Sequence, residues 1–347
     1  MSASPPSIFH RIFDAIDALN YRVVYAVLAV LLAVPFITGH WEVKWRARPL
    51  TKGLYETIER CADTGKPVLL INGWIMDSRG ENQPQFEVLV DHMMRRHVKF
   101  ILLSLDPATA IVGRSICLET ERFYKKEFGE DYVQYGRDWL DLGYQLIYQG
   151  GGWIIWIPNL KADGLVKKFM TDSDKRDLTL FPIMRRPGAP PLEQPGTPVD
   201  LSTLSAKEYK EQWLRLDDFG LILEVHFVYT ILDFNGLVRL DPDFRGPDGK
   251  PKIELAEGTV NMLLSELLPY YDSGSLAGIL AGYQGAAEYS DLLRRNYGWG
   301  PSAEGLRQRN NSYSLGVLWV LALIVIGNIS TLRRVLRDRR LARGGNG

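Results

Sequence analysis

The sequence predicts an α/β fold, a doubly wound and mostly parallel sheet domain held between an N-terminal and a C-terminal transmembrane helix. Short apolar runs alternate with helical patterns in the middle of the chain, and a long uncharged stretch lies near each end. The composition, 46% apolar and 24% charged, is that of a globular protein. Basic and acidic residues balance at 41 each, so bulk charge indicates no nucleic-acid partner.

The predicted strands begin with two nearly continuous apolar runs, 67–73 and 98–106, which are typical of central parallel strands. The residues between them repeat apolar side chains at helical spacing, and Asp106 and Pro107 are the cap and first residue of a second helix reaching about Phe128. Further strands are predicted at 144–149 and 219–232, whereas 259–268 fits a strand or a helix. Right-handed crossovers make a doubly wound sheet the simplest topology. The five prolines of 186–204 predict a loop.

Two uncharged stretches predict transmembrane helices at 21–40 and 310–332, because each can cross a hydrocarbon core of about 30 Å. A cleaved signal peptide is the alternative for the first. Arginines close to a span stay in the cytoplasm, so the basic tail 333–347 predicts that both termini are cytoplasmic and that 41–309 is extracytoplasmic. The arginines that set this orientation are Arg333, Arg334, Arg337, Arg339, Arg340 and Arg343.

Residues 1–20 place apolar side chains along one helical stripe, which predicts an amphipathic helix lying in the membrane interface or packing on a partner helix. A third uncharged stretch, 142–160, fits a third span less well than a strand followed by a turn, because it contains three adjacent glycines and Pro158. Its apolar residues Trp153, Ile155 and Trp156 are a candidate contact patch if they face solvent, or another core strand if they do not.

Acidic residues predict one candidate active site. Ligands bind beyond the carboxyl ends of strands in open α/β sheets, and we expect Asp77, Asp106 and Asp272 to lie in such loops. Together with Glu81 they could bind a divalent cation or act as an acid/base pair, and Ser78, Ser104 and Ser273 add hydroxyls. The alternative is that these residues only cap helices and form turns.

A second candidate is Glu224 with His226, which alternation places on one face of a strand as a possible general-base couple. The alternative puts both on the solvent-facing or partner-facing side of an edge strand. His92 and His97 flank an apparently exposed pair of arginines. The sequence contains no HExxH, GxSxG, GxGxxG, phosphate-loop or CxxC motif, which disfavours several enzyme classes. Cys61 and Cys117 are expected to be buried free thiols, with one disulfide as the alternative.

These observations predict a membrane-anchored protein that displays an extracytoplasmic α/β domain for partner binding or for assembly in a membrane complex. The predicted partners are the lipid bilayer and a protein partner or second copy of the chain, and no cofactor is predicted. The alternative function is a membrane-tethered hydrolase that depends on a divalent cation and uses Asp77, Asp106 and Asp272. A stretch rich in small residues, 277–295, is expected to pack closely against a helix or another subunit.

Overall fold

The structure, a computed structural model, divides the chain into a terminal unit, Met1–Lys44 with Gly305–Gly347, and a central unit, Trp45–Glu304. The predicted amphipathic helix at 1–20 and the tail arginines lie outside the described residues. The structure describes residues 21–38, 45–146, 153–192, 196–227, 242–246, 251–303, 306, 312, 315–325, 327–328, 331–332 and 335.

A six-stranded, all-parallel sheet forms the middle of the central unit, which confirms the predicted α/β class. The strand order is β3-β2-β1-β4-β5-β6. The chain therefore steps outward from β1 to β3, crosses back to lie beside β1, and steps outward again in the other direction. The strands are β1 (Val68–Gly73), β2 (Phe100–Ser104), β3 (Trp139–Tyr144), β4 (Leu221–His226), β5 (Glu254–Thr259) and β6 (Gly278–Ala281).

Helices cover both faces of this sheet. A β-carbon at Gly258 would meet Gln85, and one at Gly278 would meet Leu54, so α2 and α3 lie on one face together with α4 and α8. The other face carries the large hydrophobic core, to which α5 and α7 contribute. The described helices are α1 (Tyr21–Thr38), α2 (Pro49–Thr64), α3 (Arg79–Arg95), α4 (Pro107–Phe128), α5 (Trp153–Phe169), α6 (Ala206–Gln212), α7 (Leu264–Asp272) and α8 (Gly282–Tyr297).

Several predicted elements differ from the observed ones. The strand expected at 144–149 is observed five residues earlier, as β3 (Trp139–Tyr144). The apolar run after the glycines begins helix α5, so its prediction as a strand was wrong; a short apolar run does not distinguish the two by periodicity. The side chains of Trp153, Ile155 and Trp156 lie outside the described residues. The segment 259–268 ends β5 and enters α7.

Hydrogen bonds hold both ends of the central unit at the amino-terminal edge of the sheet, where the strands begin. Arg295, in the last turn of α8, donates to the carbonyl of Trp45 at 3.2 Å. Arg95, in the last turn of α3, donates to the carbonyl of Trp299 at 3.0 Å. Each of these helix ends lies near the amino-terminal edge, because a crossover helix runs antiparallel to the strand it follows. The chain therefore enters and leaves the central unit at this edge.

In the described part of the terminal unit, two helical segments touch each other. The hydroxyl of Ser312 donates to the carbonyl of Leu32 in α1 at 2.9 Å, and a β-carbon at Gly316 would lie 3.1 Å from the Leu32 side chain. Among the residues that the structure describes, no helix is both apolar enough and long enough to traverse a bilayer. Cys61 and Cys117 are buried free thiols, as expected.

Candidate functional site

Parallel strands place all of their carboxyl ends at one edge of the sheet, here called the carboxyl edge. In doubly wound sheets, ligands bind at the point of this edge where the strand order reverses. That point lies here between β1 and β4, because β2 continues on one side of the pair and β5 on the other. The candidate site therefore comprises the side chains near the ends of β1, β2, β4 and β5.

On the core-bearing face, β4 and β5 carry four buried polar side chains in register. Glu224 pairs with Glu257, and His226 pairs with Thr259. Alternation places all four on the face that also carries Ile222 and Leu255 of the core. Glu224, Glu257 and Thr259 are completely buried, and His226 is nearly so. Two carboxyl groups therefore lie side by side within the protein, two residues before their strands end.

Glu257 is the most unusual of these residues. Within the part of the chain that the structure describes, neither of its carboxyl oxygens has a hydrogen-bond partner. Burial raises the pKa of Glu257 well above its ordinary value, and the neighbouring charge of Glu224 raises it further. These surroundings therefore favour the protonated form of Glu257.

On the opposite face, a group of amides has a defined orientation. The Asn72 side-chain nitrogen donates to the Thr109 carbonyl at 2.7 Å, and the Gln85 nitrogen donates to the carbonyls of Thr259 and Gly282 at 2.8 and 3.0 Å. A flipped amide would place its oxygen against these carbonyls, so the orientation is fixed by its partners. Asn82 donates in the same way to the carbonyl of His226.

These bonds leave the amide oxygens as unused acceptors. Buried polar atoms nearly always have a partner, so each one without a partner calls for an explanation, such as a bound water, an ion or a catalytic role. Within the described chain, the buried atoms at this edge that lack a partner are Asn72 Oδ1, Trp74 Nε1, Asn82 Oδ1, Gln85 Oε1, Ser104 Oγ, both carboxyl oxygens of Glu257, and Thr259 Oγ1. Most of them accept hydrogen bonds.

The structure gives local roles to two of the predicted acidic residues that follow β1 and β2. Asp106 caps α4 by accepting from the backbone nitrogens of Ala108 and Thr109. Glu81 accepts from the backbone nitrogen of Asn261 at 2.8 Å and so ties α3 to the turn after β5. Asp77 is exposed in the turn after β1, close to the buried Ser78.

Asp272 does not join Asp77 and Asp106. It ends α7 and lines a groove of about 690 Å³ with Glu254, the first residue of β5. The groove therefore lies at the amino-terminal edge, and Ser273 lies there as well. The prediction that their loop follows a strand was wrong, because the loop instead precedes β6. Among the described residues, no group of three or more His, Cys, Asp or Glu side chains could hold a metal ion.

Glu224 and His226 do share a strand face, as alternation predicts. The proposed edge-strand setting was wrong, because β4 lies in the interior of the sheet between β1 and β5. Sequence reasoning missed Glu257 entirely. The signal available was a repeated pattern, since Glu224 and Glu257 each stand two residues before a polar residue that ends a strand.

His92, expected beside exposed arginines, is instead completely buried. Its Nε2 donates to Glu59 at 2.8 Å, and its Nδ1 accepts from the Tyr289 hydroxyl at 2.6 Å. Burial lowers the pKa of His92 and outweighs the opposing effect of Glu59. Burial alone would raise the pKa of Glu59, but the hydrogen bonds from His92 and Tyr297 lower it to about 2. This network joins α2, α3 and α8 near the amino-terminal edge, away from the carboxyl edge.

Comparison of the chain with protein-family models, with curated proteins and with solved structures returns no match.

Proposed function

We propose that the central unit binds a small polyhydroxylated ligand at the carboxyl edge and that the terminal unit anchors the protein in a membrane. The observation that carries the first part is the set of buried acceptors without partners near the carboxyl edge, some on each face of the sheet. Carbonyl, hydroxyl and carboxyl oxygens are complementary to a molecule that presents several hydrogen-bond donors. The ligand needs few acceptors of its own, because Trp74 Nε1 is the one atom that can only donate in this set of buried atoms without partners.

Ligand binding is tested with the full chain in mild detergent and a panel of polyols, glucose, N-acetylglucosamine and sorbitol, followed by saturation-transfer NMR. Ser104→Ala and Thr259→Val each remove one acceptor and no hydrogen bond seen among the described residues. Each loss should weaken binding roughly twofold to tenfold, the effect of one neutral hydrogen bond. Ser115→Ala, on the exposed surface of α4, is the matched control and should leave binding unchanged. Absence of transfer to every polyol would refute the proposal.

Two features support membrane anchoring. The sequence has uncharged stretches at 23–39 and 310–332 with arginines after the second. In the terminal unit, apolar side chains on both helical segments are exposed, among them Val30, Leu318 and Val325. Large exposed apolar surfaces mark contacts with lipid or protein. We place both termini in the cytoplasm and the central unit outside, as the charge pattern predicts.

Protease added to sealed cells tests this orientation. It should digest the central unit and spare an epitope at the C-terminus, whereas cells opened with detergent should lose both. A protected central unit with a digested tail would show that the orientation is reversed. Release of the intact chain from membranes by alkaline carbonate would refute anchoring itself.

Partner binding is a second candidate, favoured by an apolar rim at the carboxyl edge. Met76, Ile111 and Met262 follow β1, β2 and β5, and their side chains are 43%, 74% and 75% exposed. Exposed methionine is common at adaptable binding surfaces. If a second copy covers this rim, Ile111→Lys should shift the protein to a smaller species in analytical ultracentrifugation. Phe128→Lys, at the other end of α4, is the control and should leave the mass unchanged. Equal masses for wild type and Ile111→Lys would eliminate this candidate.

A further inference from the structure

A row of three cavities follows helix α2 along the amino-terminal edge of the sheet. Their volumes are about 690, 320 and 600 Å³, and the middle cavity shares lining residues with each of its neighbours. Gly220, directly before β4, and Lys252, two residues before β5, line the middle cavity together with Arg60, Cys61 and Thr64 of α2. The row therefore lies at the opposite edge of the sheet from the candidate site.

The middle cavity is basic. Arg60, Lys66 and Lys252 line it, whereas Glu254 is the single carboxylate among its lining residues. Glu254 accepts from Nη2 of Arg60 at 2.6 Å and so balances the charge of one cation. Positive charge in a concave site attracts anions, so the middle cavity is suited to an anionic group.

Two of its cations have donors available for a ligand. Both hydrogen bonds of Arg60 to described residues, to Thr57 and Glu254, come from Nη2, which leaves Nε and Nη1 available. The Lys66 ammonium has one contact in the described part of the chain, the Lys252 carbonyl at 3.5 Å, which is long for a hydrogen bond. A guanidinium fork and an ammonium are the side-chain groups with which proteins bind phosphate.

The C-terminal end of α2 lies beside the cavity, and its carbonyl groups would disfavour an anion. Donors of the protein already occupy some of them. The Thr64 hydroxyl donates to the carbonyl of Arg60 at 2.7 Å, and the Gly65 nitrogen donates to that of Ala62 at 3.3 Å. The negative end of the helix is therefore partly compensated before a ligand binds.

The adjoining cavity of about 600 Å³ offers acceptors for the rest of a ligand. It shares Thr64 and Lys66 with the basic cavity, and the carboxylates of Glu211 and Asp217 also line it. Asp217 Oδ1 is buried without a hydrogen-bond partner among the residues described, and Arg215 Nε, at 3.8 Å, is beyond hydrogen-bonding distance. Hydroxyl groups are suitable donors for such an oxygen.

We propose that a small phosphorylated polyol binds along these two cavities, with Arg60 and Lys66 holding its phosphate monoester and Asp217 accepting from its hydroxyls. A monoester carries a charge of about −1.5 to −2 near pH 7, which suits a cavity where cations outnumber carboxylates. This second site is independent of the polyol site proposed at the carboxyl edge.

Isothermal titration calorimetry tests the phosphate site with the full chain in mild detergent and with inorganic phosphate, glucose 6-phosphate and dimethyl phosphate as probes. Lys66→Met removes the ammonium and keeps the length of the side chain, so the affinity for the first two probes should fall about tenfold or more. Glu254→Gln should strengthen their binding, because Arg60 loses its competing carboxylate. Lys52→Met alters an exposed lysine of α2 outside the cavities and is the matched control, which should leave binding unchanged.

Two comparisons define the ligand. Dimethyl phosphate, a diester with a single charge, should bind at least about tenfold more weakly than inorganic phosphate. Asp217→Ala should weaken the binding of glucose 6-phosphate and leave that of inorganic phosphate unchanged. Because Glu254→Gln and Lys66→Met are expected to act in opposite directions, a general loss of folding cannot imitate the result.

Three results would overturn the proposal: a wild type that binds no phosphate, a Lys66→Met variant that binds it as well as the wild type, or equal affinities for dimethyl and inorganic phosphate. Glucose 6-phosphate binding that is weakened by Ser104→Ala but not by Lys66→Met would place this ligand at the carboxyl edge and refute the second site alone. Binding that depends on Lys66, without binding of any unphosphorylated polyol, would support the second site and refute the first.

Discussion

The imidazole of His226 lies directly over the α-carbon of Gly73 on the neighbouring strand. A β-carbon at position 73 would stand 1.7 Å from Cδ2 of His226, closer than any contact permits. The two residues are register partners at the ends of β1 and β4, where the strand order reverses. Absence of a side chain at 73 therefore makes room for the histidine beside the candidate site.

Gly73→Ala should destabilise the central unit by about 1–3 kcal/mol, the usual effect of overpacking a buried site. Gly80→Ala, in the first turn of α3, is the control. A β-carbon there meets nothing within 4 Å, so the substitution should be neutral or stabilising. Urea unfolding measures both. Gly73→Ala should destabilise the His226→Ala variant less than it destabilises the wild type, because the overlap with the imidazole is then absent. Strictly additive effects of the two substitutions would contradict the contact.

The raised pKa of Glu257 predicts that the stability of the protein depends on pH. Because the folded-state pKa is raised, the folded protein retains a proton that the unfolded chain loses above about pH 4.3. The free energy of unfolding of the wild type should therefore fall relative to that of E257Q as pH rises from 4 to 7. Comparing the difference across pH cancels any fixed effect of the amide. A difference that stays constant over this range would show that Glu257 is ionised in the folded protein.

Tyr289→Phe tests the network around His92. The substitution leaves Nδ1 of a completely buried histidine without its hydrogen-bond donor, which should reduce the free energy of unfolding by about 1–3 kcal/mol. Tyr297→Phe is a milder companion, because its hydroxyl bonds the partly exposed Glu59. Thermal unfolding compares them, and an unchanged melting temperature for Tyr289→Phe would contradict the assigned contact.

Ser302→Ala tests how the end of the central unit is held. Ser302 donates to the buried carboxylate of Asp91, which also accepts from the Tyr124 hydroxyl. Losing a hydrogen bond to a charged group should cost about 1.5–3 kcal/mol. Amide hydrogen exchange should accelerate in the peptide around 298–303, whereas that of the strands should change little. Ser290→Ala, on α8, serves as the control for losing a buried hydroxyl.

The sequence predicts β1 and β2 well because their apolar runs are nearly continuous, as central parallel strands require. It does not reveal β5, whose residues Glu254–Thr259 include Glu, Ala and Gly, which are depleted in strands. Pairing on both sides by β4 and β6 overrides that local preference. β6 has only four residues, too few for a periodic signal.

The candidate site was harder to predict than the fold, because it depends on register. Glu224 and Glu257 are 33 positions apart in the sequence and become neighbours only when β4 and β5 align. Acidic residues in loops, such as Asp106, are easier to notice but often cap helices, as this one does. His92 shows the same limit, since its burial depends on Tyr289 and Glu59 from distant helices.

Because both ends of the central unit lie at the same edge of the sheet, this unit is suited to insertion into another protein. A host protein could receive residues 45–303 in a surface loop without being pulled apart, because the inserted chain would enter and leave on the same side.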